Sequence, residues 1–183
     1  MTQRETLFLV VGPSGVGKDV LIEAARAEFS HDENWLFPER IIDRPQDQDD
    51  EPHRIVTAAD FEQRQSDGEF ALSWAAHGHH YAIPKLMENA ILQGKNVVSN
   101  VSRTVIDSAR SRYRPLRVIV VTAPTDILAQ RLAARGRETT NEIDERLHHA
   151  FDHMPDGPDI TVVINDGTIL QGTQRFIKAL MAE

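Results

Sequence analysis

At 183 residues the chain is long enough for one domain with a substantial core and too short for two large ones. A formal net charge of -8 argues against sequence-independent binding to nucleic acid or to a membrane surface, and the lack of cysteine excludes disulfides, thiolate nucleophiles and cysteine-based zinc sites. The polar start, Met1 to Thr6, and the short apolar run behind it do not read as a signal or membrane segment, so a cytoplasmic protein acting on small molecules is expected.

The apolar run Leu7 to Val11 predicts a buried strand, followed by Gly12-Pro13-Ser14-Gly15-Val16-Gly17-Lys18-Asp19 and by apolar residues at helical spacing from Val20 to Phe29. A strand, a G-x-x-x-x-G-K loop and a helix in this order form a phosphate cradle. The glycines let backbone N–H groups turn toward phosphate oxygens, and the helix N-terminus adds a favourable dipole. Lys18 supplies a point charge for the β- and γ-phosphates of a nucleotide. The next position, commonly Ser or Thr on Mg²⁺, is Asp19. An acid in the first helical turn compensates the dipole, but a carboxylate facing phosphates would repel them unless a cation stood between. Asp19 is therefore the candidate Mg²⁺ ligand, directly or through water.

Trp35 to Ile42 reads as one strand despite Pro38, delivering Arg40, Asp43 and Arg44 to a loop opened by Pro45. Asp47, Asp49, Asp50 and Glu51 read as a solvated loop rather than a metal site. Thr57 with Asp60 resembles a capping pair for a helix that Gly68 ends, and Phe70 to Ala76 and Tyr81 to Ile83 flank a bend at His77 to His80. Residues near 51–83 are thus expected to form a small inserted lobe, with the core in 1–50 and 84–183. Pro84 and Gly94 bracket a helix, Val97 to Val101 predicts a buried strand, and Val105 to Tyr113 a helix. Leu116 to Val121 is the clearest central strand after the first. Thr125 is expected to cap the next helix, which Gly136 interrupts before a second from about Glu142 to Phe151; Ile160 to Ile164 and Ile169 to Met181 close the chain as strand and helix.

This alternation predicts an α/β P-loop NTPase fold: a mainly parallel sheet flanked by helices, with ligands at the carboxyl ends of the strands. Arg131 and Arg135 share one helix face, and Arg137 and Arg146 flank the same helix-break-helix unit. Phosphoryl transfer spreads negative charge over the moving group, which a lid at about 131–147 bearing these arginines can neutralise while excluding water; a solvated basic face is the alternative. Arg40, Arg44 and Arg103 are candidates for a second anionic substrate. The histidines at 77, 79 and 80 lack a partner at recognisable ligand spacing and read as turn residues or phosphate donors.

GPSGVGK at Gly12 to Lys18, the Arg44-Pro45 pair, Gly68-Glu69-Phe70 leading to His77-Gly78 and Tyr81-Ala82-Ile83-Pro84, and Arg131 to Gly136 through Arg146-Leu147 resemble the guanylate kinase superfamily over nearly the whole chain. The resemblance implies a lobe for the acceptor and an arginine-bearing lid. It also implies that Gly12, Pro13, Ser14, Gly15, Val16, Gly17, Lys18, Asp19 and Arg137 bind ATP, with Lys18, Arg131, Arg135 and Arg146 catalytic. Departures concern the acceptor. The position of the glutamate that reads guanine falls on Leu72, which cannot accept a hydrogen bond, and the acidic pair after the strand from Val97 reads Asn100 to Arg103. Gly17-Lys18-Asp19, Glu51 with His53, and Asn100-Val101-Ser102-Arg103 resemble instead the ribose 1,5-bisphosphate phosphokinase branch, associated with phosphonate breakdown. That branch implies ATP and Mg²⁺, conversion of ribose 1,5-bisphosphate to 5-phosphoribosyl 1-diphosphate, and an acceptor site of Arg44, His53, Tyr81, Asn100, Ser102 and Arg103.

Overall fold

In the computed structural model, which describes residues 5–44, 53–136, 140–149, 152 and 154–182, the alternating apolar segments build two sheets. The chain runs β1 (Leu7–Val11), α1 (Lys18–Glu28), β2 (Trp35–Leu36), β3 (Arg40–Ile42), β4 (His53–Ile55), α2 (Ala58–Ser66), β5 (Phe70–Ala76), β6 (His79–Pro84) and α3 (Leu86–Leu92). It continues through β7 (Asn96–Asn100), a 3₁₀ turn at Arg103–Val105, α4 (Ile106–Arg112), β8 (Leu116–Thr122), α5 (Thr125–Arg135), α6 (Thr140–His149), β9 (Ile160–Ile164) and α7 (Ile169–Met181).

The main sheet has the order β2-β7-β1-β8-β9, and every pairing in it is parallel. Its middle strand β1 reads as an unbroken apolar run because both faces are covered. Phe8, Val10 and Val121 pack with Leu21 and Ala25 of α1 and Phe176 of α7 on one side. Leu7, Leu9, Val11 and Val120 pack with Met87 of α3 and Ile106 of α4 on the other.

Trp35 to Ile42 is not one strand. Pro38 offers no N–H to a ladder, and there the chain leaves β2 in the main sheet and enters β3 in a second sheet of order β4-β3-β6-β5. In that sheet β5 and β6 form an antiparallel hairpin whose turn places His77 and Gly78 at φ 53° and 77°, the paired positive values that suit a two-residue hairpin. Phe61 of α2 packs under Ile41 and Ala82, while Ala71, Leu72 and Ile83 on the other face of the hairpin join the main core.

The expected cap at Thr57 is present, its hydroxyl accepting from the Asp60 amide at 3.1 Å. Thr125 is not a cap: Pro124 holds that position and Thr125 is the first helical residue. Pro84 ends β6 rather than starting the helix, and Lys85 takes the N-cap of α3. Gly136 ends α5 in the left-handed conformation at φ 64°. Among the described residues no helix is long and apolar enough to cross a membrane.

Candidate active site

The phosphate cradle forms where β1 ends against the main sheet. Gly12 has φ 151°, and a Cβ there would run into the Val121 carbonyl of β8, so the loop can lie against that strand end only as glycine. A Cβ on Gly15 would meet Leu132 of α5 at 2.9 Å, so the loop also lies close against that helix. Gly17 is the N-cap of α1 in the left-handed region at φ 91°, with no side-chain cap, so the first helical amides are presented to a ligand. Lys18 Nζ donates to the Gly12 and Pro13 carbonyls at 2.9 and 3.0 Å, folding its charge back over the loop.

Asp19 Oδ1 accepts from Asn100 Nδ2 at 2.7 Å and lies 3.7 Å from the Arg40 guanidinium. A cradle carboxylate, the carboxyl end of β7 and the start of β3 thus converge on one small polar cleft, which Glu23 and Arg26 also line. The resemblance placed Asn100 with the acceptor; its amide bonds Asp19. Both side chains offer hard oxygen donors beside the cradle, a donor set that fits Mg²⁺. Arg40 reaches the other way as well, its guanidinium 5.9 Å from the centroid of Tyr81, whose ring stacks on Trp74 at 5.6 Å. Arg40 therefore spans the interval between the cradle and the second sheet.

Beyond β3, Arg44 Nη2 lies 3.4 Å from His53 Nε2 at the start of β4, so two residues expected at the acceptor site are neighbours. Asp43, with a side chain 7% exposed, accepts from the His80 amide at 2.5 Å and its ring Nδ1 at 2.6 Å, with His79 Nδ1 at 3.8 Å. Burial pushes the Asp43 carboxyl upward, but the His80 amide and imidazole together outweigh it and hold the group below the usual carboxylate range. His79 and His80 are thereby committed to tying the hairpin to the chain that presents Arg44.

Ser102 accepts from the Thr104 amide at 3.3 Å and so caps the 3₁₀ turn. Arg103 donates to the Asp152 carbonyl and lies 3.4 Å from Met154 Sδ, reaching the segment that follows α6. Arg131 Nη1 donates to the Val16 carbonyl of the cradle at 3.3 Å, which brings one predicted lid residue onto the P-loop. Arg137, Glu51 and the rest of the acidic loop at 45–52 lie outside the described residues, as do the side chains of Arg135 and Arg146.

Between the cradle, α5 and the turn into α7 opens a cavity of about 330 Å³ lined by Gly15, Gly17, Val20, Arg131, Asn165 and Ile169, large enough for a nucleoside beside the phosphate loop. Asn165, which the sequence analysis does not single out, lies directly behind β9. Its signal was a polar side chain directly after an apolar strand, at the carboxyl end where ligands gather in open α/β sheets.

A parallel sheet with this cradle, a lysine folded over it, an arginine-bearing helix against it and a smaller second sheet make a P-loop α/β fold of the guanylate kinase-like kind. A guanylate kinase from Anaplasma phagocytophilum superposes with a TM-score of 0.64 over 98% of this chain and 86% of that one, at 17% identity. A gluconokinase from Sinorhizobium meliloti gives 0.54 over 97% and 93%, at 13% identity. Both are likenesses of fold. Residues 9–149 match a family profile described as an AAA domain. Ribose 1,5-bisphosphate phosphokinases from Brucella melitensis and Methylobacterium radiotolerans are 40% and 39% identical over 98% and 96% of this chain, which spans 93% and 97% of them. The chain belongs to the ribose 1,5-bisphosphate phosphokinase family. It is also 44% identical to a bifunctional ribose 1,5-bisphosphokinase-thymidine phosphorylase from Cupriavidus pinatubonensis, spanning 30% of that longer protein.

Proposed function

We propose that the chain transfers the γ-phosphoryl group of ATP to the 1-phosphate of ribose 1,5-bisphosphate, giving ADP and 5-phosphoribosyl 1-diphosphate. An oxygen of the acceptor phosphate forms the new bond to the γ-phosphorus while the bond to the β,γ-bridging oxygen breaks, and ADP leaves with that electron pair. The attacking oxygen is already anionic, so no protein base is required, and catalysis reduces to positioning and charge neutralisation.

The loop Gly12 to Gly17 holds the ATP phosphates on its amides, Lys18 turns from its own loop carbonyls to the β- and γ-oxygens, and the nucleoside occupies the cavity beside Asn165. Asp19 and Asn100 would hold Mg²⁺, which when bound offsets phosphate charge. Arg131, Arg135, Arg137 and Arg146 form the lid over about 131–147. Arg44, His53, Tyr81, Ser102 and Arg103 serve the acceptor, His53 and Tyr81 from within the lobe at about 51–83, with Asp43 keeping that lobe in register.

The observation that carries the choice of acceptor is Leu72. It is 4% exposed and packed in the main core, so the position assigned by resemblance to a base reader offers a nucleobase nothing to bond. A sugar bisphosphate has no base to read and two phosphates for the arginines. In a coupled ADP-release assay with purified protein, ATP and Mg²⁺, ribose 1,5-bisphosphate is expected to support turnover and GMP and AMP to give none above background. Robust turnover with GMP would overturn the assignment.

A further inference from the structure

We propose that Asn165 is a positioning residue for the phosphate cradle, its carboxamide holding the Val16–Gly17 peptide so that the Gly17 amide faces the ATP phosphates. The inference rests on the reading of Gly12 to Lys18 as that cradle.

Asn165 follows β9, is 6% exposed, and has its own amide fixed on the Thr122 carbonyl at 2.7 Å. Its Nδ2 donates to the Val16 carbonyl at 2.8 Å. A trans peptide is planar, with C=O and N–H on opposite sides, so drawing the Val16 oxygen outward turns the Gly17 N–H inward. The fit is close on both sides of the carboxamide. A Cβ on Gly17 would lie 2.9 Å from Nδ2, and one on Gly172 would overlap Oδ1. Gly172 sits inside α7, where glycine is unfavourable relative to alanine, and it leaves room for Asn165.

Arg131 shares the Val16 oxygen at 3.3 Å. The two holds differ in what happens during turnover. An arginine drawn to the transferring phosphate leaves the carbonyl, whereas the Asn165 carboxamide, walled in by β9 and α7, stays. Asn165 therefore matters most when the lid is engaged.

The test uses Asn165→Ala, Gly172→Ala and the double variant, with ADP affinity by calorimetry, thermal unfolding, and turnover with whichever acceptor the coupled assay selects. In Asn165→Ala, kcat is expected to fall about tenfold or more, as when a donor aimed at developing charge is misplaced, and ADP to bind more weakly, because the Gly17 amide also faces the phosphates that ADP retains. Gly172→Ala pushes the carboxamide onto the loop and lowers both Tm and kcat. The double variant removes that overlap and fills with one methyl the space the other truncation empties, so Tm recovers while kcat stays low. Recovery of both, or an unchanged kcat in Asn165→Ala, would show that Asn165 only packs. Wild-type protein that binds no ADP overturns the cradle reading and this one with it; an Asn165→Ala variant with wild-type kcat beside normal ADP binding overturns this one alone.

Discussion

Replacing Asp19 by Asn removes one negative charge from the cradle and keeps the shape of the side chain. The structural cost is small. Asp19 has a side chain 34% exposed, its ion pair with Arg40 is long at 3.7 Å, and such partly solvated pairs contribute about 1 kcal/mol or less. The contact with Asn100 at 2.7 Å becomes amide to amide and loses its charge assistance, about 1 kcal/mol more. The functional effect has two opposite signs. Taking a charge about 6 Å from a phosphate and an effective dielectric of about 40 for this half-exposed site, like charges repel by about 1.4 kcal/mol, so metal-free ATP should bind about tenfold tighter to the variant. With Mg²⁺ present the carboxylate attracts instead, and losing it should raise the Mg²⁺ needed for half-maximal turnover by about tenfold or more. Calorimetric ATP titrations with excess chelator and with excess Mg²⁺ give one test, and Mg²⁺ titration of ADP release at fixed ATP gives the other. A simple loss of structure weakens both bound states together, so only the crossover supports Asp19 as the metal-handling group. Equal ATP affinities in wild type and variant under both conditions, with an unchanged Mg²⁺ midpoint, would refute it.

Gly12→Ala forces a Cβ toward the Val121 carbonyl at a backbone angle alanine avoids, and thermal denaturation should show a loss of about 3 kcal/mol, or about 10 °C in melting temperature, with nucleotide binding lost as well. A variant that melts like wild type would show that the loop lies elsewhere. Asp43→Asn should cost about 2 kcal/mol at neutral pH, from urea unfolding, because it removes a buried carboxylate bonded to the His80 amide and ring. The Asp43 carboxyl is held below its unfolded value, so its contribution is complete above the ordinary carboxylate range and lost as pH falls through the lower folded value. The gap between variant and wild type should therefore close below about pH 4, and a gap that persists undiminished at pH 2 would contradict the pairing.

The local parts of this molecule are legible because their signals are local. The strand Leu7–Val11, the cradle, the cap at Thr57, the hairpin around His77-Gly78 and the helix Ile169–Met181 each follow from spacing, turn chemistry or capping within a dozen residues. The segment Trp35 to Ile42 failed because its halves pair with strands from distant parts of the chain, Trp35 with Asn96 and Ile42 with Tyr81, and only those partners divide it. Asn100 ends β7 and Arg103 opens the turn after it, as their place behind an apolar strand predicts. Their partners, Asp19 81 residues away and Asp152 49 away, could not be read from spacing.

By itself the sequence determined that a phosphate loop follows the first strand, that Lys18 belongs to it, and that Leu72 offers no hydrogen bond to a base. Each of these is a property of residue type and near-neighbour order. Tertiary structure alone decided that Asp19, Asn100 and Arg40 share one cleft, that Asp43 takes up His79 and His80, and that Asn165 and Arg131 meet on the Val16 carbonyl. A parallel sheet brings the ends of strands far apart in the chain to one edge, and which side chains meet there depends on strand order rather than on any distance along the sequence.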